Sequence, residues 1–528
     1  MHFDMTELGR RGVLLGAGAA SLVQLVGCGG RPEPRAAGAK AAGPPTPPPT
    51  VAPPPGVVLA YFAAFGVDQR MIAEGLSAAL ARGAERADLY FEHRVSTWVA
   101  LEDGEVNRAY TSVDLGVGVR AVKGDQTGYG YTEELTLDAV RRAAATAAAV
   151  AGGPSRPGPT AFRAGSLPER YPVKTRWESV KTSDRLPILT RLNERALAAD
   201  KRIKKVRLSM SDQYGAILLV DSEGRVFEDL CPSTLLYLSC SAEDKGRKES
   251  NGYSVAARDG IEFFSEERLT RVVKEAVGRT TILFDAAPAP IGEMPVILSA
   301  GASGILLHEA IGHGMEADFN RKNTSIYADK IGKPIAKDIV SIVDDGTLPH
   351  ARGSINVDDE GNAPERTVLV DRGTLTTYMH DSISAKHYGV KPTGSGRRES
   401  FRHVPMPRMR STYMLAGPHK EDEIVRSVKR GIYCSNFTNG QVQIGAGDFT
   451  FYVKNGFLIE NGKLTRPITD VNLIGNGPKT LERVDMVADN LAFDEGGWTC
   501  GKNGQSVPVS LGMPAVRIAN ITVGGRKA

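Results

Sequence analysis

Two histidines and a glutamate stand within the six residues H-E-A-I-G-H at positions 308–313. Neutral imidazoles bind a borderline-soft cation such as zinc, and a neighbouring carboxylate can accept the proton of a metal-bound water. His308 and His313 are five residues apart, whereas the H-E-x-x-H pattern places its histidines four apart. In a regular helix, a separation of five residues leaves the two side chains about 140° apart. The spacing therefore predicts a π-type turn, or a helix that opens at Gly312 and Gly314.

A catalytic zinc site built on this motif needs a third protein ligand if Glu309 is the base. Two nearby acids, Glu316 and Asp318, are candidates, and so is the thiol of Cys500, which follows two glycines in a predicted turn. The acids have an alternative role as hydrogen-bond acceptors that orient the ligand histidines. Cys500 has an alternative role as a buried, inert thiol. Residue types and spacing leave this choice open.

Helices and antiparallel strands are predicted in the first half of the body. Apolar periodicity predicts a helix at 67–82, strands at 87–92, 97–101, 106–110, 115–122 and 127–132, and a helix at 135–150. Asp103-Gly104 is a predicted hairpin turn between two of these strands. A helix at 186–199, meander-like strands between 206 and 242, and a helix at 265–279 follow. This order is typical of an α+β fold.

The second half is predicted to be larger and richer in strands. A short apolar strand at 296–298 precedes the helix that carries His308. Strand patterns then recur at 368–379, 432–442, 449–454, 457–460 and 507–511. We therefore expect an α+β protein in which the motif helix packs into a β-rich C-terminal domain.

The N-terminus has the pattern of an export signal. The paired arginines Arg10-Arg11 precede an apolar run that ends in L-V-G-C at 25–28, which is similar to a bacterial lipobox. This pattern predicts export, lipidation of Cys28, and anchoring at the outer side of the bacterial cytoplasmic membrane or in the periplasm. The alternatives are an uncleaved membrane anchor and a cleaved signal with a chance cysteine. The Pro/Ala-rich segment assigned to 29–66 is expected to be an extended tether.

Composition limits the partners and the redox chemistry. A net charge of +4 over 528 residues, with no basic block beside interleaved aromatics, argues against a nucleic-acid partner. Cys231 and Cys240 would lie roughly 30 Å apart on one continuous strand, too far for a disulfide without a turn between them. The chain is not expected to be a disulfide scaffold.

Several separated blocks resemble the TldD/PmbA metallopeptidase family. The motif block extends over residues 308–318, and similar blocks lie, in the same order as in the family, at 116–120, 127–131, 402–414, 436–442, 458–463 and 500–509. The resemblance covers the body from about residue 87 to residue 523. It does not cover the export signal or the tether.

The resemblance implies a ligand set and a mechanism. His308, His313 and Cys500 would ligate Zn²⁺, and Glu309 would act as general base on a zinc-bound water. PmbA-type partners in the family lack the histidine motif, so this chain is similar to the catalytic type. The family also implies a two-domain α+β architecture and dimers, either homodimers or heterodimers with a PmbA-like subunit.

The sequence thus predicts an exported, lipid-anchored zinc metallopeptidase that hydrolyses unfolded or small peptides; its substrate-binding residues are unknown. The alternative is a non-catalytic metal-binding assembly protein or peptide-binding protein. The predicted organisation is an export signal at 1–28, a tether at 29–66, an N-terminal α+β domain at 67–285 and a C-terminal metallopeptidase domain at 286–528.

Overall fold

The computed structural model describes residues 58–525. The predicted export signal, the lipidation of Cys28 and most of the predicted tether lie outside these residues. Helices and strands are mixed throughout the described part, which confirms the α+β class. Within this part, no helix combines the length and the apolar character needed to cross a bilayer.

Long antiparallel strands build one sheet in the first half of the body. Its order is β3-β2-β1-β5-β6-β4, with β7 paired to β6. The strands are β1 Arg86–Glu102, β2 Glu105–Lys123, β3 Gln126–Thr132, β4 Arg163–Ala164, β5 Ile203–Asp221, β6 Arg225–Asp244 and β7 Arg247–Ala257.

The first two strands are longer than the sequence pattern predicted. The segments 87–92 and 97–101 belong to the single strand β1, because β2 and β5 pair with it continuously through His93 and Ser96. The predicted turn between β1 and β2 is confirmed. Asp103 and Gly104 both have positive φ, 52° and 89°, as a type I′ hairpin requires.

Five helices accompany this sheet: α1 Val58–Ala63, α2 Gln69–Leu80, α3 Leu137–Ala148, α4 Thr182–Ala199 and α5 Glu266–Thr281. Side-chain caps fix the starts of three of them, at Asp68, Thr136 and Ser265. Leu76, Leu189 and other apolar residues of these helices share one core with the inner face of the sheet.

The predicted tether was assigned too far along the chain. The interval 29–66 includes α1, whose Tyr61 and Phe62 belong to the hydrophobic core. Phe62 is completely buried and its ring lies 5.9 Å from that of Phe91 on β1. The burial of these two aromatic side chains holds α1 on the core, although α1 directly follows the Pro-rich segment. The folded body therefore begins by residue 58.

The second half contains a six-stranded sheet and an eight-stranded sheet that enclose the motif segment, residues 305–315. One has the order β12-β11-β10-β15-β24-β21, and the other β16-β9-β25-β19-β17-β18-β8, with β20 paired to β25. The strands are β8 Ala287–Pro288, β9 Gly292–Leu298, β10 Ile342–Asp345, β11 Arg366–Asp371, β12 Thr374–Leu375, β13 Gly396–Arg397, β14 Met406–Pro407, β15 Ser411–Met414, β16 Arg430–Gln443, β17 Asp448–Glu460, β18 Lys463–Thr469, β19 Val471–Asn476, β20 Val484–Val487, β21 Ala492–Asp494, β22 Thr499–Lys502, β23 Gln505–Pro508, β24 Ser510–Met513 and β25 Val516–Gly524.

Short helices connect these strands: α6 Ile305–Leu307, α7 Ala317–Arg321, α8 Ser382–Tyr388, α9 Glu421–Arg426 and α10 Gly477–Glu482. Leu306 and Ile311 of the motif segment share a core with Ile342 of one sheet and Phe451 of the other. The motif is therefore held between two sheets, and its backbone is fixed by packing on both sides.

The four described cysteines, Cys231, Cys240, Cys434 and Cys500, are free and buried. Cys231 and Cys240 lie on the single strand β6, as the disulfide argument expected.

Candidate metal centre

The helical segment that carries both histidines changes its hydrogen-bond pattern every few residues. A 3₁₀ turn at Ala302–Gly304 leads into α6, a π-helix covers His308–Gly312, and a second 3₁₀ turn covers His313–Met315. The His313 N–H donates to the carbonyl oxygen of His308, the i to i+5 bond of a π turn. This bond confirms the π turn that the five-residue spacing predicted. The two imidazole rings are 5.0 Å apart and nearly perpendicular.

Glycine and close packing allow the wider turn. A Cβ on Gly312 would lie 2.0 Å from Sδ of Met409, so only glycine fits there without a shift of the Met409 side chain. The hydroxyl of Tyr327 donates to the carbonyl oxygen of Ala310 at 3.1 Å. A carbonyl inside the π turn thus receives a hydrogen bond from outside the helix.

A hairpin from the end of the body brings Cys500 to the histidines. β22 and β23 pair directly, Cys500 opposite Val507, and Cys500 is fully buried. Its Sγ lies 3.6 Å from Nε2 of His313. One ligand atom from each of His308, His313 and Cys500 lies within 4.8 Å of the other two. The structure therefore brings together all three ligands that the family resemblance implied.

Charge couples the thiol to the imidazoles. Burial raises the pKa of Cys500, but the nearby His308 and His313 outweigh it and hold that pKa well below its usual range. Burial lowers the pKa of His313, but Glu316 and Cys500 raise it well above its usual value. A thiol that readily loses its proton beside two imidazoles is the form that binds a metal.

One ring nitrogen in this cluster has no protein partner. Nδ1 of His308 is buried and forms no hydrogen bond within residues 58–525. An orphaned buried nitrogen costs free energy unless a ligand occupies it. Together with a thiolate and a second imidazole, it fits a transition-metal ion of intermediate softness.

Glu316 orients one of the two histidines. Its Oε2 accepts a hydrogen bond from Nδ1 of His313 at 3.0 Å and lies 3.2 Å from Nζ of Lys502. Burial raises the pKa of this fully buried carboxyl, but Lys502 and His313 lower it to about 2. Lys502 also donates to Asp318 at 2.7 Å. Glu316 and Asp318, which the sequence left as possible metal ligands, thus lie behind His313. Glu316 is the hydrogen-bond partner of His313, and Asp318 is an ion-pair partner of Lys502.

Lys502 was not singled out by sequence reasoning. It lies 184 residues beyond Asp318 in the chain, and a lysine two residues after Cys500 carries no local signal for this role. It reaches the acids because Cys500 and Lys502 point to the same face of β22, as alternate residues of a strand do.

Glu309 lies on a different side of the π turn, against the strand β16. A Cβ on Gly440 of β16 would be 3.2 Å from Cγ of Glu309. Within the described part of the chain, the Glu309 carboxylate has no hydrogen-bond or ion-pair partner. Burial raises its pKa, and the charges of His308 and His313 offset only part of that rise. An unpaired carboxyl beside a candidate metal site is available as a base.

The site is therefore a His₂Cys cluster with an adjacent free carboxylate. Sequence patterns describing the PmbA/TldA metallopeptidases match most of the body: domain 1 at residues 87–151, the central domain at 175–284 and the C-terminal domain at 291–525.

The relatives agree with these matches. A "Metalloprotease TldD homolog" from Haemophilus influenzae is 40% identical over 454 residues, which cover 84% of this chain and 94% of the relative. A "Zinc metalloprotease TldD homolog" from Saccharolobus solfataricus is 34% identical over 235 residues, 44% of this chain and 52% of the relative. The crystal structure of TldE from Thermococcus kodakarensis shares the fold, with a TM-score of 0.68 at 19% identity over 87% of this chain and 99% of TldE.

The chain belongs to the TldD/PmbA family of metallopeptidases. The family resemblance and the enzyme class predicted from the sequence are thus confirmed.

Proposed function

We propose that this protein is a zinc-dependent peptidase in which His308, His313 and Cys500 hold the metal and Glu309 is the general base. The observation that carries the proposal is the convergence of three buried ligand atoms, one from each residue, within 4.8 Å of one another. Three protein ligands with an open position are the usual arrangement of a catalytic zinc site.

The donor types favour zinc over other common ions. Magnesium and calcium prefer oxygen ligands, whereas a thiolate and two imidazoles suit zinc. The Saccharolobus solfataricus relative is named a zinc metalloprotease, which supports the same choice. Two neutral imidazoles and one thiolate would leave a net charge of about +1 at the site.

The chain's own residues supply the proton transfers and the orientation. When bound, zinc supplies a Lewis acid that polarises a peptide carbonyl and makes a water molecule more acidic. Glu309 accepts the proton of the attacking water and passes it to the leaving amine. Glu316 accepts the Nδ1–H of His313, so that Nε2, which faces Cys500, keeps its lone pair for the metal.

An extended, unfolded peptide is the substrate that the surroundings of Glu309 favour. β9 pairs with only residues 432–434 of β16, so among the described strands the edge of β16 beyond Cys434 has one partner, β17. Gly440 on this part of β16 lies beside Glu309. A peptide that added to this edge as a strand would run past the catalytic base. Ester replacements in the backbone of a good substrate should raise KM, and an unchanged KM would contradict strand addition.

Variants of three of the four proposed site residues test the proposal. We expect His308→Ala and Cys500→Ser to lose zinc, and Glu309→Gln to keep zinc but cleave unstructured peptides at least about 10²-fold more slowly. Metal analysis and peptide cleavage measured by mass spectrometry give the two readouts. Cys434→Ala is the matched control, because Cys434 is a free, buried cysteine outside the cluster. Zinc retained in Cys500→Ser would contradict the third ligand.

A non-catalytic metal-binding role predicts a different result. In that case the zinc-loaded protein would cleave no member of an unstructured peptide library, and Glu309→Gln would function normally in the cell.

The partner and the location are part of the same proposal. The shared fold with TldE supports a dimer with a second family member or with another copy of this chain. The paired arginines and L-V-G-C at 25–28 support export and a lipid anchor on Cys28. Cys28→Ser should release the protein from membranes, and membrane retention of this variant would contradict the anchor.

A further inference from the structure

A cavity of about 270 Å³ lies between the N-terminal sheet and the C-terminal strands. Residues of β1, β5 and β6 line one side, and residues 397–399 with the β22–β23 hairpin line the other. Thr499 and Pro508, paired across the hairpin, line this cavity, and so does Val507, the partner of Cys500. The cavity and the candidate metal centre therefore share this hairpin, but the side chains of His308, His313 and Cys500 do not line the cavity. Five arginines line it: Arg94, Arg258, Arg352, Arg397 and Arg398.

Arg258 is a buried cation without a polar partner. Its exposed fraction is 7%, and its Nε is buried without a hydrogen bond. Across residues 58–525 its guanidinium forms no hydrogen bond or ion pair, and its Cζ lies 5.2 Å from the centre of the Tyr171 ring. A buried charge in this state costs several kcal/mol unless something pairs with it.

Two neighbouring arginines bond to neutral groups. Arg352 donates to the carbonyl oxygen of Trp498 at 3.1 Å, and Arg397 donates to those of Met409 and Pro508 at 2.7 and 2.8 Å. Within the described part of the chain, neither has a carboxylate oxygen within 4.0 Å. Burial, followed by the charge of Arg258, lowers the pKa of Arg352 to about 10 and that of Arg397 to about 9. Both still carry their charge at neutral pH.

The acids that line the cavity form no ion pair within 4.0 Å with these three arginines in residues 58–525. The charges of Asp229 and Asp359 act on Arg258 from a longer distance, and neutral donors bind the oxygens of these acids instead. Tyr171 and the Asn356 amide donate to Asp229, for example. Backbone N–H groups donate to the others: Glu92 from Phe401, Asp358 from Glu360, Asn362 and Gly396, Asp359 from Arg398, and Glu399 from Ser506.

Burial also shifts the pKa of three of these acids upward. Burial raises the pKa of Glu92 and Asp359, and burial with the charge of Glu360 raises that of Asp358 to about 7. The arginines that line the cavity therefore carry more positive charge than its acids carry negative charge.

We propose that this cavity binds a small ligand through an oxyanion, a carboxylate or a phosphate group, held by the free guanidinium of Arg258 beside Arg352 and Arg397. The planar guanidinium offers two parallel N–H donors to such a group. The volume admits a ligand of a few non-hydrogen atoms. The inference does not depend on the proposed peptidase activity, because no metal-ligand side chain lines the cavity.

Inorganic phosphate and acetate are the probes, each added to the full-length protein with sodium chloride at matched ionic strength as the baseline. We expect one of them to raise the thermal midpoint by several degrees and to bind measurably by calorimetry. A response to phosphate alone assigns the phosphate class, and a response to acetate assigns the carboxylate class. No response to either would overturn the proposal.

Arg258→Gln should abolish the response. Arg82→Gln should keep it, because Arg82 is exposed and does not line the cavity. Arg352→Gln is the second variant in case Arg258→Gln does not fold, and we expect its dissociation constant for the active probe to rise at least about five-fold. A response that persists in Arg258→Gln, or an unchanged constant in Arg352→Gln, would overturn the proposal.

Discussion

Glu316 shows how a single buried carboxylate organises the candidate metal cluster. It is fully buried and pairs at once with the ring of His313 and the ammonium group of Lys502. A carboxylate behind a ligand histidine fixes the orientation of the ring and makes its other nitrogen a stronger donor. Lys502 compensates the buried negative charge, so the carboxylate stays ionised.

Glu316→Gln should weaken zinc binding about ten-fold or more, because the neutral amide removes the charge that strengthens His313 as a ligand. Competition with a chromogenic chelator measures the affinity. Asp318→Asn is the matched control: it changes the same network at Lys502 but does not contact His313. Equal losses in the two variants would show that the network acts only through Lys502.

At the residue scale, the sequence could predict those site residues that are close to one another in the chain. His308, Glu309 and His313 stand in one short motif, so their residue types and spacing indicated a metal site. Cys500 was chosen among the possible third ligands only through the family resemblance. Lys502 was missed, because its contact with Glu316 depends on a hairpin that the tertiary fold brings from 184 or more residues away.

Among the elements, the π turn allows two histidines five residues apart to face the same point, which a regular α-helix would not allow. One extra residue in the turn places positions 308 and 313 one above the other, joined by the i to i+5 hydrogen bond. The turn requires glycine at position 312, because Met409 of a neighbouring segment fills the space that a side chain there would need.

Gly312→Ala should destabilise the protein by about 1–3 kcal/mol, because the added methyl group overlaps the sulfur of Met409 in a close-packed core. Chemical denaturation measures the change in the free energy of unfolding. The double variant Gly312→Ala/Met409→Ala should recover affinity for zinc relative to the single variant if the overlap distorts the turn.

Gly278→Ala in α5 is the control, because a Cβ there meets open space. That substitution should stabilise the protein by roughly 0.5–1 kcal/mol, as expected for glycine in a helix interior. A loss of stability as large as that of Gly312→Ala would contradict the steric explanation.

The helices were predictable from the sequence wherever the periodicity of apolar residues was strong. The helices at 67–82, 135–150 and 265–279 correspond to α2, α3 and α5. Strand lengths were not predictable, because residues such as those of 93–96 are polar or only partly buried. They remain in strand through pairing on both sides with β2 and β5.

Over the whole molecule, a buried ionic network joins the first sheet to the C-terminal half. Arg120 of β2 pairs with Asp88 of β1 at 2.6 Å and with Glu360, and Arg398 lies 3.3 Å from Asp88. All four side chains are buried. Removing one partner of such a network leaves charges that no solvent can compensate.

Arg120→Met should therefore lower the free energy of unfolding by about 3–5 kcal/mol. Urea denaturation followed by circular dichroism measures the loss. Arg70→Met is the control, because Arg70 and its partner Glu74 form an ion pair near the surface, and its midpoint should not change. A midpoint of Arg120→Met equal to that of the native chain would show that the network adds nothing to stability.

The hairpin that delivers Cys500 also has a consequence for the order of events during synthesis. A chain made from its N-terminus presents both histidines 187 residues before the thiol. In the interval it must complete β15, β16, β17 and β19, on which the motif segment packs. If His308, His313 and Cys500 are the metal ligands proposed above, a nascent or truncated chain has only two of the three and should hold metal weakly. Tight metal retention would then indicate that the chain has been completed through the β22–β23 hairpin.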